Sequence, residues 1–246
     1  MSNTIRLSGF SLALQDIGEA DQYIVLYTRE SGLVRALGKS IRKITSKLRG
    51  QVRPVQLTNI ELLIGRRHTI LIGAVAEEHY PILNHSIETL QATADVGALL
   101  QNMLVEHETL EGLWELLDHM FTALNDPANG IRVSLIESYF YLRFLAMAGL
   151  SPNVSSTCVF CGQEIRDDAF FIFREGGFAH PHCAQEHRTP SGRKRSADAA
   201  PITKREWYLL QRIEQAEWPG ILSADLHHID PIRDFLKQFA AYYAMR

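Results

Sequence analysis

Two pairs of potential metal ligands constrain the fold of this chain more than any other feature of its sequence. Cys158 and Cys161 are separated by two residues, and His180 and Cys183 repeat that gap after an intervening segment of 18 residues. Cysteine and histidine are the usual ligands of structural zinc, and ligand pairs with this spacing are typical of zinc ribbons. We therefore predict that the four side chains bind one structural Zn2+ ion and leave it no open coordination position.

The segment between the two pairs supports this interpretation. Residues 169–174 predict a strand and residues 175–177 predict a turn, so a short β-hairpin would join two ligand-bearing knuckles. A metal ion would also stabilise a segment that is too small to form a hydrophobic core of its own.

The sequence leaves alternatives to zinc open. The cysteines could be buried free thiols beside exposed histidines, and His182 or His187 could take the place of His180 as the nitrogen ligand. A redox-active C-x-x-C pair is a further alternative, although the segment lacks the surrounding βαβ pattern. A zinc deaminase would need an H-x-E motif before its cysteine pair, and the chain contains no such motif.

The first 80 residues predict a small β-barrel. Segments of strand length, rich in alternating, β-branched or aromatic residues, recur along this region and are separated by turn signals. Five short strands with a long connection after the third favour a partly closed barrel of the oligonucleotide-binding (OB) type. The five predicted strands span residues 6–14, 22–28, 33–37, 57–64 and 69–77.

The long connection coincides with a concentration of positive charge. Residues 32–53 contain seven Lys or Arg residues and no Asp or Glu, although the whole chain has a net charge of −3. Such a local run of cations is typical of a polyanion site, and the alternative is a solvated charged loop. The predicted nucleic-acid-binding residues are Arg35, Lys39, Arg42, Lys43, Lys47, Arg49 and Arg53, together with Arg66 and Arg67 from the turn before the last strand.

Three aromatic residues of the predicted barrel are candidate platforms for stacked bases. They are Phe10, Tyr23 and Tyr27. Aromatic side chains of a small barrel can either stack on exposed bases or fill the core. We expect at least two of the three to pack in the core.

The middle of the chain predicts acidic helices. Residues 71–157 carry a net charge of −9, whereas residues 1–70 carry +6. The helix predicted at residues 131–147 is apolar round much of its surface and is expected to lie at the centre of a bundle. A solvated acidic face that would repel DNA is expected from Glu106, Glu108, Glu111, Glu115 and Asp118.

The last part of the chain predicts a loop and two helices. Residues from 188 to the capping box formed by Thr203 and Glu206 are rich in Ser, Gly, Pro and Arg and are expected to be an exposed linker, the alternative being a loop that adds phosphate contacts. One helix is predicted to run from the capping box to about residue 216, and another to begin at Asp230 and Pro231.

These features together predict an α+β chain. Three cysteines, an odd number, argue against a disulfide framework and fit a reducing cytoplasm, and we expect neither a secretory signal nor a membrane span. The predicted parts are an OB-fold DNA-binding domain at 1–80, a helical domain at 81–157, a zinc-ribbon-like knuckle pair at 158–187, and at 188–246 a loop with C-terminal helices that pack on the helical domain.

The order of these features resembles the RecO family of bacterial recombination mediators. The resemblance covers nearly the whole chain and is most specific at residues 18–43, GEADQYIVLYTRESGLVRALGKSIRK. It is also carried by the LRGQVRPVQLTNIEL, FLAMAGLSP, TCVFCG and GGFAHPHC segments. The resemblance implies an OB barrel, a helical domain and a zinc finger, with no enzymatic turnover.

The family resemblance also implies a function and a set of partners. RecO-like proteins bind single- and double-stranded DNA, anneal complementary strands, and work with RecR and single-strand-binding protein to load RecA at the bacterial nucleoid. The DNA-binding role carries over to Arg35, Lys39, Arg42, Lys43, Lys47 and Arg49. The metal role carries over to Cys158, Cys161 and Cys183, while His180 stands where the family usually has a fourth cysteine.

Two other functions compete with DNA binding. The first is a zinc-stabilised adaptor whose acidic helices bind proteins and whose affinity for DNA is incidental. The second is a metal-dependent hydrolase such as a nuclease, which would need an open metal position and a general base. The sequence identifies neither requirement of the hydrolase.

Overall fold

The chain separates into two compact units, Met1–Val133 and Ser134–Arg246. The boundary lies within residues 81–157, the range predicted as one helical domain. Among the described residues, no helix combines the length and the apolar character needed to cross a lipid bilayer. The structure is a computed structural model that describes residues 3–80, 86–126, 128, 132–187, 199–224, 226 and 228–244.

Five strands form a closed barrel in the first unit. Their order is β1-β2-β3-β5-β4, and the pairing of β1 with β4 closes the barrel. The β3–β5 pairing is parallel and the other pairings are antiparallel. The predicted α+β class and OB-like barrel are therefore confirmed. The strands are β1 (Thr4–Ile17), β2 (Asp21–Thr28), β3 (Gly32–Gly38), β4 (Gln56–Ile64) and β5 (Thr69–His79).

The barrel core includes side chains from outside the strands. Ile41 and Val52 lie in the long connection between β3 and β4, yet both are buried in the core. They pack with inward-facing residues of four strands, and this burial fixes the connection to the barrel. The strand residues of this core are Ile24, Leu26, Val34, Ala36, Ile60, Leu62 and Leu71.

Two helices, α1 (Ile87–Met103) and α2 (Leu113–Leu124), complete the first unit. Helix α1 approaches β1 so closely that a Cβ added at Gly97 would lie 2.9 Å from the carbonyl oxygen of Leu12. The ring of Phe10 packs against α2, with ring centroids 4.6 Å from Trp114 and 5.3 Å from Phe121. These contacts bury part of the outer surface of the barrel.

The segment between α1 and α2, residues 104–112, lies along β3 and is called the covering segment below. The backbone N–H of His107 donates to the carbonyl of Leu33 over 2.9 Å. The hydroxyl of Tyr27 accepts from the N–H of Leu110 at 3.0 Å and donates to its carbonyl at 3.2 Å. Gly32 has a φ of +59° and stands so close to Glu108 that a Cβ would clash with its carbonyl oxygen.

The second unit surrounds a buried helix. In this helix, α3 (Val133–Met147), every residue from Leu135 to Leu142 is buried, as its apolar sequence predicts. Two residues after the end of α3, Gly149 has a φ of +72°, and the N–H of Leu150 donates to the carbonyl of Leu145. The elements are α3 (Val133–Met147), β6 (Ala169–Ile172), β7 (Gly177–Ala179), α4 (Pro181–Glu186), β8 (Ala199–Ile202), α5 (Lys204–Gln215), α6 (Trp218–Ser223) and α7 (Asp230–Ala244).

A small sheet in the second unit corrects one prediction. Residues 199–202 were predicted to belong to an exposed linker, but they form β8 and pair antiparallel with β6 in the order β7-β6-β8. The short run AAPI carries no strand signal of its own, and its pairing with β6 decides its conformation. Residues 188–198 lie outside the described residues. The capping box of Thr203 and Glu206 at the start of α5 is confirmed.

Candidate nucleic-acid interface and metal centre

The connection between β3 and β4, residues 39–55, has an ordered backbone, and we call it the basic connection. The N–H groups of Lys43, Ser46, Arg49 and Gln51 each donate to the carbonyl three residues earlier, at 3.0–3.3 Å. At its ends, Ser40 donates its N–H to the Asp21 carboxylate over 2.6 Å, and Val55 donates to the Ser11 carbonyl over 2.8 Å. Successive turns anchored at both ends hold the backbone of this connection in place.

Burial separates apolar residues from cations in the basic connection. Ile41, Val52 and Val55 are buried, while most of the cations are exposed. In the part of the chain that the structure describes, five of these exposed cations form no ion pair with an acidic side chain. They are Lys39, Lys43, Lys47, Arg49 and Arg53.

Two predicted nucleic-acid ligands are engaged with acids instead. Arg42 lies 3.2 Å from a carboxylate oxygen of Asp16 and donates to the carbonyl of Gly18 over 3.3 Å. The Nε of Arg35 lies 3.5 Å from Oε1 of Glu106 in the covering segment. These acids are 26 and 71 residues away in the sequence, so local sequence gave no signal of either pair.

Arg66 and Arg67 line a cleft beside β3. The cleft has a volume of about 280 Å³. Three arginines and one glutamate line it, so its formal charge is positive. The hydroxyl of Tyr23 lies 3.2 Å from Nδ1 of His68 on one wall. The lining residues are Tyr23, Arg35, Gly65, Arg66, Arg67, His68, Thr69, Glu106 and His107.

The candidate aromatic platforms divide as expected. Phe10 and Tyr27 are buried in the first unit, at 0% and 1% exposure. Tyr23 is half-buried and lines the cleft. The expectation that at least two of the three pack in the core is confirmed. Tyr23 remains the candidate for stacking on a nucleic-acid base.

The acidic residues of the predicted solvated face have a second role. Four of them are exposed, but Glu106 pairs with Arg35 and Glu115 pairs with Arg29 at 2.8 Å. The backbone N–H of Glu115 and then the guanidinium of Arg29 lower the pKa of the Glu115 carboxyl. The prediction of a purely solvated face is therefore incomplete, because two of its acids bind cations on the barrel.

The structure brings all four predicted metal ligands together in the second unit. The candidate ligand atoms of Cys158, Cys161, His180 and Cys183 all lie within 4.8 Å of one another. Nδ1 of His180 is 3.5 Å from Sγ of Cys161 and 3.9 Å from Sγ of Cys183. Three sulfurs and one imidazole nitrogen at this separation could hold a metal ion.

Local backbone structure places each half of this cluster. After Cys161 the chain turns at Gly162, which has a φ of +71° and donates its N–H to the carbonyl of Cys158 over 2.9 Å. The second half differs from the predicted knuckle, because His180 caps α4 and Cys183 lies in the first turn of that helix. Residues three apart in a helical turn lie on one side, which keeps both ligands directed at the cluster.

His180 is oriented by a second contact. Its Nε2 lies 3.2 Å from the carbonyl oxygen of Glu164. A proton on Nε2 would donate to that oxygen and leave Nδ1 free to bind a metal, which is the usual arrangement around a ligating histidine. Among the competing histidines, His182 has its Nε2 3.2 Å from Cys183 Sγ, while the His187 ring packs on Phe160 at 4.1 Å.

The thiols of the cluster differ in acidity. Burial of Cys158 acts to raise its pKa, but backbone N–H groups of Cys161, His180 and Phe160 stabilise the thiolate and lower the pKa to about 6. Burial raises the pKa of Cys183 to about 12, and the neighbouring sulfurs of Cys161 and Cys158 act in the same direction. The Cys158 thiolate is thus available near neutral pH, whereas Cys183 holds a proton that a metal ion would displace.

Comparison with known families identifies the chain. The sequence family described as "Recombination protein O N terminal" matches residues 1–71, and "Recombination protein O C terminal" matches residues 84–246. This chain belongs to the RecO family.

Three RecO proteins from other organisms are similar to this chain, and the similarity covers a different fraction of each protein's length. The DNA repair protein RecO of Pelotomaculum thermopropionicum is 26% identical over 239 residues, covering 96% of this chain and 87% of the relative. That of Synechococcus sp. (strain JA-3-3Ab) is 29% identical over 195 residues, covering 75% of this chain and 64% of the relative. The RecO of Acaryochloris marina is 31% identical over 159 residues, and the chain spans 54% of that relative.

Some residues around the cleft were missed by the sequence analysis. His68 follows the two predicted arginines directly, so the turn sequence G-R-R-H could have indicated it. Glu106 and His107 reach the cleft only because the covering segment lies against β3. Their contribution depends on tertiary packing and had no local signal.

Proposed function

We propose that this RecO-family protein is a non-catalytic recombination mediator that acts in DNA repair. It binds single- and double-stranded DNA, anneals complementary strands and assists the loading of a recombinase. The observation that carries this proposal is the row of five exposed cations, free of ion pairs among the described residues, on the ordered basic connection.

Phosphate groups are the chemical match for this surface. Exposed Lys and Arg side chains gain affinity for a polyanion chiefly by releasing its condensed counterions, which does not depend on base sequence. The anchored backbone of the basic connection lowers the conformational cost of presenting several cations at once. Arg66 and Arg67 extend the set to the turn between β4 and β5.

The proposed partners rest on the family. The similar proteins carry the name DNA repair protein RecO. By extension we propose RecR and single-strand-binding protein as protein partners, with RecA as an indirect one. The outer face of β2 and β3, which OB barrels commonly use for nucleic acid, is partly occupied here by the covering segment. This occupation favours the basic connection as the main phosphate-binding surface.

We also propose that the Cys/His cluster holds one structural Zn2+ ion. The donor set of three sulfurs and one nitrogen fits zinc, and the pre-oriented His180 supports that assignment. Bound zinc would supply structural cross-linking rather than chemistry. It would tie the segment before β6 to the start of α4, where the local apolar core is small.

A salt titration with measured metal content tests the proposal. Fluorescence anisotropy of labelled single-stranded and duplex oligonucleotides would be recorded from low to high salt, with zinc quantified in the same preparation. With five cations engaged, log K against log salt should have a slope of about −3 to −4 for single strands. Weak binding that does not respond to salt would instead support the adaptor alternative.

A further inference from the structure

The cleft beside β3 combines phosphate-binding groups with stacking surfaces. Arg35, Arg66 and Arg67 offer guanidinium donors, and Tyr23 and His68 offer rings with centroids 6.3 Å apart. Guanidinium groups bind phosphate by paired hydrogen bonds, while aromatic and imidazole rings stack on unpaired bases. A nucleotide carries both a phosphate and a base, so it can use both kinds of group at once.

The size and position of the cleft limit what it can accept. Its volume of about 280 Å³ lies just below the range of about 300–1,000 Å³ for small-molecule sites. The covering segment occupies the neighbouring part of the same barrel face, where Tyr27 bonds Leu110 and Leu33 accepts from His107. The space that remains fits one nucleotide rather than an extended strand.

Arg35 has an incomplete set of contacts in this cleft. Its Nε is buried and lacks a hydrogen-bond partner of good geometry, since the nearest acid, Oε1 of Glu106, lies 3.5 Å away. The side chains of both residues are partly exposed, at 38% and 46%, and an ion pair of that kind contributes little to stability. A phosphate oxygen could therefore replace the Glu106 carboxylate at small cost.

We propose that this cleft binds one unpaired nucleotide, with its base against Tyr23 and His68 and its phosphate on Arg35 in place of Glu106. A base inside a duplex is stacked and paired, and it would have to be flipped out before it could enter. The cleft therefore distinguishes single-stranded from double-stranded DNA, whereas the basic connection binds both. This inference rests on the proposed DNA-binding function.

The sharpest test is a gain of affinity. Glu106→Gln removes the acid that competes with phosphate, and it should tighten binding of labelled oligo(dT) about two- to fivefold without changing duplex binding. Glu108→Gln makes the same charge change two residues further along the covering segment and should change neither. A second substitution, Arg35→Gln, should abolish the gain. Unchanged oligo(dT) affinity in Glu106→Gln would overturn the inference.

A loss of affinity tests the stacking surface independently. Tyr23→Ala should weaken oligo(dT) binding about fivefold or more, because base–aromatic stacking is lost, and should leave duplex binding intact. Tyr23→Phe keeps the ring but loses the hydroxyl that lies 3.2 Å from Nδ1 of His68, and it should bind oligo(dT) more tightly than Tyr23→Ala does. Equal weakening for both forms of DNA would overturn the inference while leaving the DNA-binding function standing. A misfolded variant cannot bind more tightly, so the Glu106→Gln result remains decisive if Tyr23→Ala unfolds.

Inorganic phosphate and thymidine monophosphate serve as competitors that separate the two halves of the cleft. Phosphate alone should compete with oligo(dT) equally in the wild type and in Tyr23→Ala. Thymidine monophosphate should compete better than phosphate in the wild type, and that advantage should be lost in Tyr23→Ala. Equal competition by the two in the wild type would mean that the cleft recognises anions without a base, and this would refute the nucleotide assignment.

Discussion

The basic connection of the first unit and the Cys/His cluster of the second are both short segments rich in functional side chains, but they are built on opposite principles. The cations of the basic connection are exposed and are spread along the chain. The cluster directs four side chains at one point, within 4.8 Å of one another. Removing one member should therefore cause a graded loss in the first case and a near-complete loss in the second.

The largest expected effect is the loss of a metal ligand. Cys183→Ser should lower the zinc content of the purified protein to well under one ion per chain and destabilise the second unit by more than about 3 kcal/mol, because metal binding is coupled to folding. Inductively coupled plasma mass spectrometry and urea unfolding would measure the two effects. His182→Ala is the matched control and should retain the metal. Full zinc content in Cys183→Ser would contradict the proposed ligand set.

Acidification should also release the metal ion from the Cys/His cluster. The pKa of Cys158 is lowered to about 6 from an ordinary value near 9. The Cys158 thiolate therefore stabilises the folded second unit at higher pH, and this stabilisation is lost as the pH falls through about 6. Because a ligating thiol must be deprotonated, zinc affinity should fall steeply between pH 7 and about pH 5. A chromogenic chelator would follow the release. Retention of zinc at pH 5 would contradict this prediction, because contacts other than those described would then keep Cys158 deprotonated.

A charge reversal in the basic connection should have the next largest effect, and a graded one. Lys39→Glu, Lys43→Glu and Lys47→Glu combined should weaken binding to single-stranded and duplex DNA about tenfold or more at low salt. The magnitude of the salt slope should fall by about 2. Fluorescence anisotropy measures both quantities.

The control for that variant carries the same change in charge elsewhere. Lys204, Arg205 and Arg212 are exposed on α5, and their reversal to Glu should leave DNA affinity much less affected. Equal weakening by both triple variants would mean that net charge, rather than the basic connection, determines affinity.

A smaller effect is expected where the covering segment meets the barrel. Tyr27→Phe removes the hydroxyl that bonds both the N–H and the carbonyl of Leu110, leaving those groups without that partner. We expect the free energy of unfolding to fall by about 1–3 kcal/mol with DNA affinity at the basic connection unchanged. Chemical denaturation of the two proteins side by side measures this difference, and no change would show that water replaces the hydroxyl.

The smallest effect on DNA affinity is expected when Arg42 loses its acidic partner. Asp16→Asn removes the carboxylate that lies 3.2 Å from Arg42 and should raise DNA affinity by no more than about twofold, because exposed ion pairs are weak. Glu19→Gln, in the adjacent β1–β2 turn, is a control of equal charge. A large gain in Asp16→Asn alone would mean that Arg42 is a major phosphate ligand held back by its pair.

Much of the fold and both candidate sites could be predicted because their signals are local. Strand alternation predicted the five strands of the barrel within a few residues of their observed bounds. The two-residue gaps predicted the cluster because each gap places its two ligands on the same side of one turn. The run of cations at residues 39–53 could be recognised in the sequence because only a few apolar residues interrupt it. Two of those apolar residues, Ile41 and Val52, are buried in the barrel core.

The amino-acid sequence by itself determined which side chains are available for phosphate and metal, and in which segments they lie. Only the tertiary structure decided which of them are free. Arg35 and Arg42 meet Glu106 and Asp16, β8 pairs with β6, and the covering segment closes part of the barrel face. Each of these outcomes joins residues far apart in the chain, and the choice of partner across such a distance depends on packing that no local pattern contains.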